Sequence, residues 1–366
     1  MQWTTTVALV GLVLDVLASQ IPVKAAHVVT GVNVVGIQQM SDERQDALIE
    51  ELQKDGITCV RTGIGDRFNR FIIRAAAHGI SSLVVVYPTE GGSGLHMRPA
   101  VPSLGLQWGQ AALTDADPVK FKAWVEVQLA PLEAAGIHLT AFELGNEING
   151  PFFNGDFVPA EASGRVLGLP DLDNASDPEG RTIAASYRAY LRVAAAMKDV
   201  RDHSKLNQKT PIISAGLADG GLPGKRAGQK LDGVSIPATL RFLRDNGLDD
   251  LADGYGVHVY PGGQAKQPVA SFARLLQADA FAECTARKPC WLTEWGFDNS
   301  DKSCPPDERQ RGQLIETMRG ALKTFAQQGR LAASIYYSWG RPGELGSSIE
   351  RCGALTSAGK LALSPM

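Results

Sequence analysis

The stretch HLTAFELGNEINGPFF, residues 138–153, passes from apolar, β-prone residues into an amide and a carboxylate, Asn146 and Glu147. Residues 139–144 have the length and composition of a buried strand. A carboxylate just past the end of such a strand is poorly placed for stability, so its position asks for a chemical reason.

Working outward, seven more short apolar runs match the first: 28–35, 58–61, 82–87, 211–215, 254–259, 290–293 and 332–337. Between them lie segments of helical period, 41–55, 67–78, 118–135, 181–203, 237–251, 270–283 and 307–328, so every gap holds a helix. Ser41 with Asp42 and Glu43 opens the first helix, and Gly56, Gly79, Gly136 and Gly329 stand where a left-handed residue ends one. The repeated unit predicts an α/β protein, a single (β/α)8 TIM barrel. No Pro/Ser-rich linker interrupts it, so residues 27–366 are expected to form one catalytic domain. An open doubly wound sheet is the alternative, but no glycine-rich phosphate fingerprint follows an early strand.

In a barrel, Glu147 would end strand four and face the mouth. A second acid stands in WLTEWG, residues 291–296, where Glu294 ends strand seven. Two carboxylates converging over one pocket suit retaining glycoside hydrolysis, which needs them about 5–5.5 Å apart. The connections 88–117 and 150–180 are long and carry Trp108, Phe152, Phe153 and Phe157, as the wall of a groove for sugar rings would.

The strand-end motifs, Asn146-Glu147 and Thr293-Glu294-Trp295-Gly296, resemble those of glycoside hydrolase clan A, the (β/α)8 superfamily of retaining enzymes. Arg61 at the end of strand two, His258 and Tyr260 at strand six and Trp339 at strand eight agree with cellulase-type family 5 and with family 39. Family 5 members usually have a histidine near the end of strand three, where this chain has Val86-Tyr87-Pro88, so the likeness is to the clan before any one family.

The resemblance implies Glu147 as acid/base and Glu294 as nucleophile. Arg61 and Tyr260 would steady the Glu294 carboxylate, and Asn146 would meet the sugar 2-hydroxyl. His258 would orient Glu294 or Tyr260 or bind a sugar hydroxyl, Trp339 would offer an apolar face to the ring, and Trp295, next to the nucleophile, would be either core or a wall of the sugar-binding site. Glu143 and Asp298 fall nearby as supporting residues. The expected substrate is a β-linked oligo- or polysaccharide. The same acids would also serve a transglycosylase, and a sugar-binding barrel without catalysis is the non-enzymatic alternative.

Composition narrows the rest. With 36 Lys and Arg against 39 Asp and Glu, a net charge of −3 and no dense basic run, a nucleic-acid partner is not expected. Six histidines show no metal-ligand spacing, and the glycine patch at 91–94 lacks the Walker lysine, so no metal and no cofactor are expected.

Residues 7–14 form an apolar run too short to span a bilayer, followed by small residues at 16–18. Residues 1–26 therefore read as a signal peptide or amino-terminal extension, and the protein as secreted or periplasmic and monomeric, although no Lys or Arg precedes the run. Of five cysteines, Cys284 with Cys290 and Cys304 with Cys352 are the expected disulfides, leaving Cys59 as a buried thiol.

Overall fold

The computed structural model describes residues 28–160, 164–219, 230–261, 268–340 and 346–366. The amino-terminal segment 1–26 lies outside these residues, and so does any test of its reading as a leader.

Eight parallel staves follow the chain: β1 (Val29–Asn33), β2 (Cys59–Gly63), β3 (Ser81–Val86), β4 (Ala141–Leu144), β5 (Ile212–Ile213 and, after a break, Leu217–Ala218), β6 (Tyr255–Val259), β7 (Cys290–Trp295) and β8 (Leu331–Tyr336). Each run anticipated in the sequence holds one stave. The two halves of β5 lie at opposite ends of the strand order, one beside β4 and the other beside β6, and β1 pairs with β8. A bridge from Ile213 to Gly254 helps close the ring. Closure leaves the sheet without a free edge, as a barrel requires.

Apart from a single turn at Leu169–Leu172, the described α-helices are α1 (Asp42–Lys54), α2 (Asp66–Ala77), α3 (Pro118–Ala134), α4 (Pro178–His203), α5 (Ile236–Asp245), α6 (Val269–Ala278), α7 (Arg309–Gln327) and α8 (Ser357–Leu363). Side chains that accept backbone N–H bonds start several of them: Asp117 and Asp177, each followed by proline, cap α3 and α4, and Ser235 caps α5. The expected helix over 237–251 stops earlier, at Gly247, whose φ of +103° breaks the spiral before a short 3-10 turn. α8 has seven residues, too few to show a period, and was not anticipated.

Alternation along the staves makes two cores. Cys59, Leu83, Ala141, Ile213, Trp291, Ala333 and Ile335 form a cluster inside the barrel. A larger cluster fills the layer between sheet and helices, with Val32, Val60, Phe142 and Leu292 from the strands and Phe71, Phe121, Tyr187 and Phe242 from the helices.

The long connections stand at the carboxyl ends of the staves. The one after β3 carries an antiparallel ribbon, Met97–Arg98 with Gln110–Ala111. The one after β4 supplies Val166–Leu167, which pairs with Gly233–Val234 from the connection after β5. Cys284 is bridged to Cys290 and Cys304 to Cys352, and Cys59 is free and buried. No described helix is long and apolar enough to cross a membrane.

Candidate active site

At the carboxyl end of β4 the chain turns sharply. Gly145 has φ +88°, and Glu147 itself has φ +43°, a left-handed conformation that a side-chain-bearing residue adopts only at a cost of about 1–3 kcal/mol. Its N–H donates to Gly216 O at 2.7 Å, which fixes the turn against the broken fifth stave. The Glu147 side chain is partly exposed, and its Oε1 lies 2.9 Å from His258 Nδ1.

Glu294 reaches the same mouth by a different device. Val257 pairs with Leu292 and His258 with Glu294, so Thr293 is an extra residue, and the pairing of β7 with β8 shifts over the same span. This bulge lets consecutive residues serve one site. The Thr293 hydroxyl donates to Glu143 Oε1 at 2.7 Å, while Glu294 accepts from Arg61 Nη1 at 2.6 Å and from the Tyr260 hydroxyl at 2.5 Å.

Arg61, buried on β2, is the hub. Besides Glu294, its guanidinium donates to Glu143 Oε2 at 2.5 Å, Asn33 Oδ1 at 2.8 Å and Asn146 Oδ1 at 2.7 Å. Burial opposes the Glu143 charge, but Arg61 and His258 outweigh it and hold this carboxyl at about 2. His258 is fully buried. Burial again works against its charge, while Glu294 and the carboxylates of Glu143 and Glu147 raise it to about 9. Its Nε2 has no hydrogen-bond partner among the described residues; Glu143 Oε1 stands 3.8 Å away, an ion-pair distance too long for a hydrogen bond. Burial, followed by the Glu294 charge, pushes the Tyr260 hydroxyl well up, so it stays a donor.

Glu147, His258 and Glu294 each offer one ligand atom within 4.8 Å of the others, a set that could hold a divalent ion. Arg61 already supplies positive charge at Glu294 Oε1 and Tyr260 occupies Oε2. A cation would therefore compete with partners in place.

Of the eight residues expected to act on the substrate, six, Glu147, Glu294, Arg61, Asn146, His258 and Tyr260, meet in this cluster, together with Glu143, which was expected in a supporting place. His258 bonds Glu147, a partner not expected, and its Nδ1 also stands 3.7 Å from Glu294 Oε2, within reach of the acid it was expected to orient. Of the other two, Trp295 is core and not a wall of the site, and Trp339 needs correction as a sugar platform. Trp295 is fully buried, edge-on to Tyr336 at 5.0 Å and to Phe297 at 6.4 Å, because the bulge turns it out of the lumen. Trp339 is 1% exposed. The chain leaves the extended path after β8, and Trp339 N–H donates to Asn33 O at 2.9 Å, folding the residue back over β1. Tyr337, two residues earlier, is partly exposed and stands edge-on to Tyr260 at 6.1 Å.

Asn33, Gly216 and Tyr337 were not singled out, and Thr293 entered only as part of the strand-end motif, with no role of its own. Asn33 was within reach, being a polar residue near the end of an apolar run, the same signal that marked Arg61. Gly216 carried no local mark: a Cβ there would overlap His258 Nε2 and Glu143 Oε1, contacts that exist only in the fold.

Two hollows flank the cluster. One of about 830 Å³ reaches it at Tyr260 and runs past Phe297, Asp298 and Asn299. The other, about 250 Å³, is lined by Asn33, Arg61, Tyr87 and Glu90.

Solved structures share this architecture. A fungal β-1,4-galactanase is 14% identical, with a TM-score of 0.51 over 91% of this chain and 93% of that one. An endocellulase from Pyrococcus horikoshii is 13% identical, with a TM-score of 0.52 over 92% and 93%. An endo-1,4-β-mannanase from Rhizomucor miehei is 12% identical, with a TM-score of 0.51 over 92% and 95%. The chain has the (β/α)8 fold. At these identities the likeness is one of fold alone. No family model matches the chain, and no curated protein matches it at a significant level.

Proposed function

We propose that this protein is a retaining glycoside hydrolase acting on β-linked glycosides or polysaccharides by double displacement. One observation carries the reading: carboxylate oxygens of Glu147 and Glu294, from the ends of facing staves, lie within 4.8 Å of each other. Inverting enzymes hold their carboxyl groups about 6.5–9.5 Å apart to seat a water between them, whereas retaining ones hold them close enough for one to attack.

In the first step Glu294 attacks the anomeric carbon, the bond to the leaving oxygen breaks, and Glu147 gives that oxygen its proton. In the second, Glu147 takes a proton from water as the water displaces Glu294 from the same carbon. Arg61 and Tyr260 hold Glu294 by one oxygen each, which aims the carboxylate and stabilises it as the leaving group of the second step. His258 fixes Glu147 and is a neighbour with which it can exchange a proton. With its carbonyl oxygen on Arg61, Asn146 keeps its amide N–H groups for a sugar hydroxyl. The β orientation rests on the resemblance to clan A and on the fold shared with the three enzymes above.

A 2,4-dinitrophenyl 2-deoxy-2-fluoro-β-glycoside tests the mechanism, since fluorine slows the second step and lets the intermediate accumulate. One fluoroglycosyl group per chain, mapped to Glu294 by peptide mass spectrometry, is expected. Turnover of the parent aryl glycoside without such a label would refute double displacement at this residue. A transglycosylase would label identically and is separated by the ratio of transfer products to free sugar.

We also propose that residues 1–26 are removed on export, in keeping with the two disulfides. Amino-terminal sequencing of exported protein should begin after the apolar run 7–14 and no later than about residue 27; an intact Met1 would refute it.

A further inference from the structure

We propose that Tyr87, Phe153 and Trp108 form a stacking wall leading outward from the catalytic carboxylates, and that the substrate is therefore a β-linked glycan chain of several units rather than a small glycoside. The inference rests on the glycosidase reading and extends it.

The row begins at the site. Tyr87 directly follows β3 and lines the smaller hollow together with Arg61 and Asn33. Its ring stacks on Phe153, with centroids 6.2 Å apart and planes 15° from parallel. Phe153 comes from the other long connection, six positions after Glu147, and Trp108 tilts against it at 6.1 Å. Two such steps carry the wall from the reaction centre to the rim.

Exposure argues against a role in packing alone. Trp108 is 50% exposed and Tyr87 37%, the latter with its hydroxyl end enclosed by the site, where burial pushes it up to about 12; among the described residues no other Phe, Tyr or Trp is as exposed. Both belong to this row. An indole half open to water covers nothing with that half, and exposed apolar surface gathered at one place marks a binding surface.

Nor is the exposure a sign of loose loops. Gly155 N–H donates to Ala111 O at 2.9 Å, and Arg98 Nη2 to Pro151 O at 2.6 Å. Asp156 accepts from Thr114 twice, from N–H at 2.9 Å and from the hydroxyl at 2.7 Å. A Cβ on Gly155 would run into the Gln110 and Ala111 backbone, so the two connections meet face to face. The rings are thus held in place before any ligand arrives, which lowers the ordering cost of binding. A pyranose presents flat C–H faces to such rings and keeps its hydroxyls at the edge, in water.

The test compares substrates. β-1,4-linked gluco-, manno-, galacto- and xylohexaose are screened with wild-type protein alongside the corresponding aryl β-monoglycosides. Trp108→Ala is expected to lower the ratio of kcat/KM on the best hexaose to that on the aryl glycoside by about tenfold, mainly through KM, with partial recovery in Trp108→Phe. An unchanged ratio overturns the wall. Independently, Glu294→Gln protein is run in native gels containing β-1,4-glucan, β-1,4-mannan, β-1,4-galactan or β-1,4-xylan. Retardation that weakens when Trp108→Ala is added supports the wall, and migration unaffected by Trp108→Ala overturns it. If wild-type protein cleaves none of these glycosides, the glycosidase reading fails, while the gels still decide the wall.

Discussion

Arg61 and Glu143 form an ion pair at 2.5 Å in which the carboxylate has no exposed surface. Such a pair is retained for placement more than for stability, because desolvation cancels much of its attraction. Here Glu143 balances the same guanidinium that holds Glu294, Asn146 and Asn33.

Removing one partner should therefore be costly. Glu143→Ala is expected to lose about 3–5 kcal/mol in urea unfolding followed by circular dichroism, because Arg61 keeps a buried charge with one fewer counter-ion. Glu143→Leu combined with Arg61→Met should cost less than the two single changes added together. Strict additivity would count against the coupling.

The two acids should fail differently. Glu294→Ala is expected to lose nearly all turnover on every aryl β-glycoside. Glu147→Ala should still be glycosylated by a dinitrophenyl glycoside, whose leaving group needs no proton, and azide should restore its turnover with a β-glycosyl azide as product. An α-azide from Glu147→Ala, with a β-azide from Glu294→Ala, would reverse the assignment.

His258 gives a dependence on pH. Its imidazole titrates at about 9 in the folded protein against 6.5 unfolded. The stability it contributes is fully present below pH 6.5 and is lost as pH rises through 9. The difference in urea midpoint between wild type and His258→Asn should be largest at acid pH and shrink over this window. A difference that widens with rising pH would contradict the placement.

Gly216 offers a test of close packing. In Gly216→Ala the new methyl group meets His258 and Glu143, both fully buried and unable to swing aside. Overpacking of this kind costs about 1–3 kcal/mol and should displace His258 from Glu147. A fall in kcat of about tenfold or more on an aryl glycoside is expected, with the far-ultraviolet circular dichroism unchanged. Wild-type kcat would show that the site tolerates the shift.

The sequence by itself determined the eight staves, the helices between them and the strand-end places of Glu147 and Glu294, because hydrophobic period, caps and breakers are properties of neighbours along the chain. It also supplied the disulfide pairs, from spacing and loop position. What it could not supply depends on residues brought together from afar. Strict alternation puts Trp295 on the same face as Trp291 and Thr293, and only the pairing of β7 with both neighbours reveals the extra residue that sends Trp295 into the outer core. The covering of Trp339 follows from a turn back onto β1, some 300 positions away in sequence. Arg61, Glu143 and Glu294 sit on three different staves, with 233 positions between the first and the last. Their joining into one charge network is a consequence of barrel closure, which brings distant strand ends to a common mouth, and no local pattern records it.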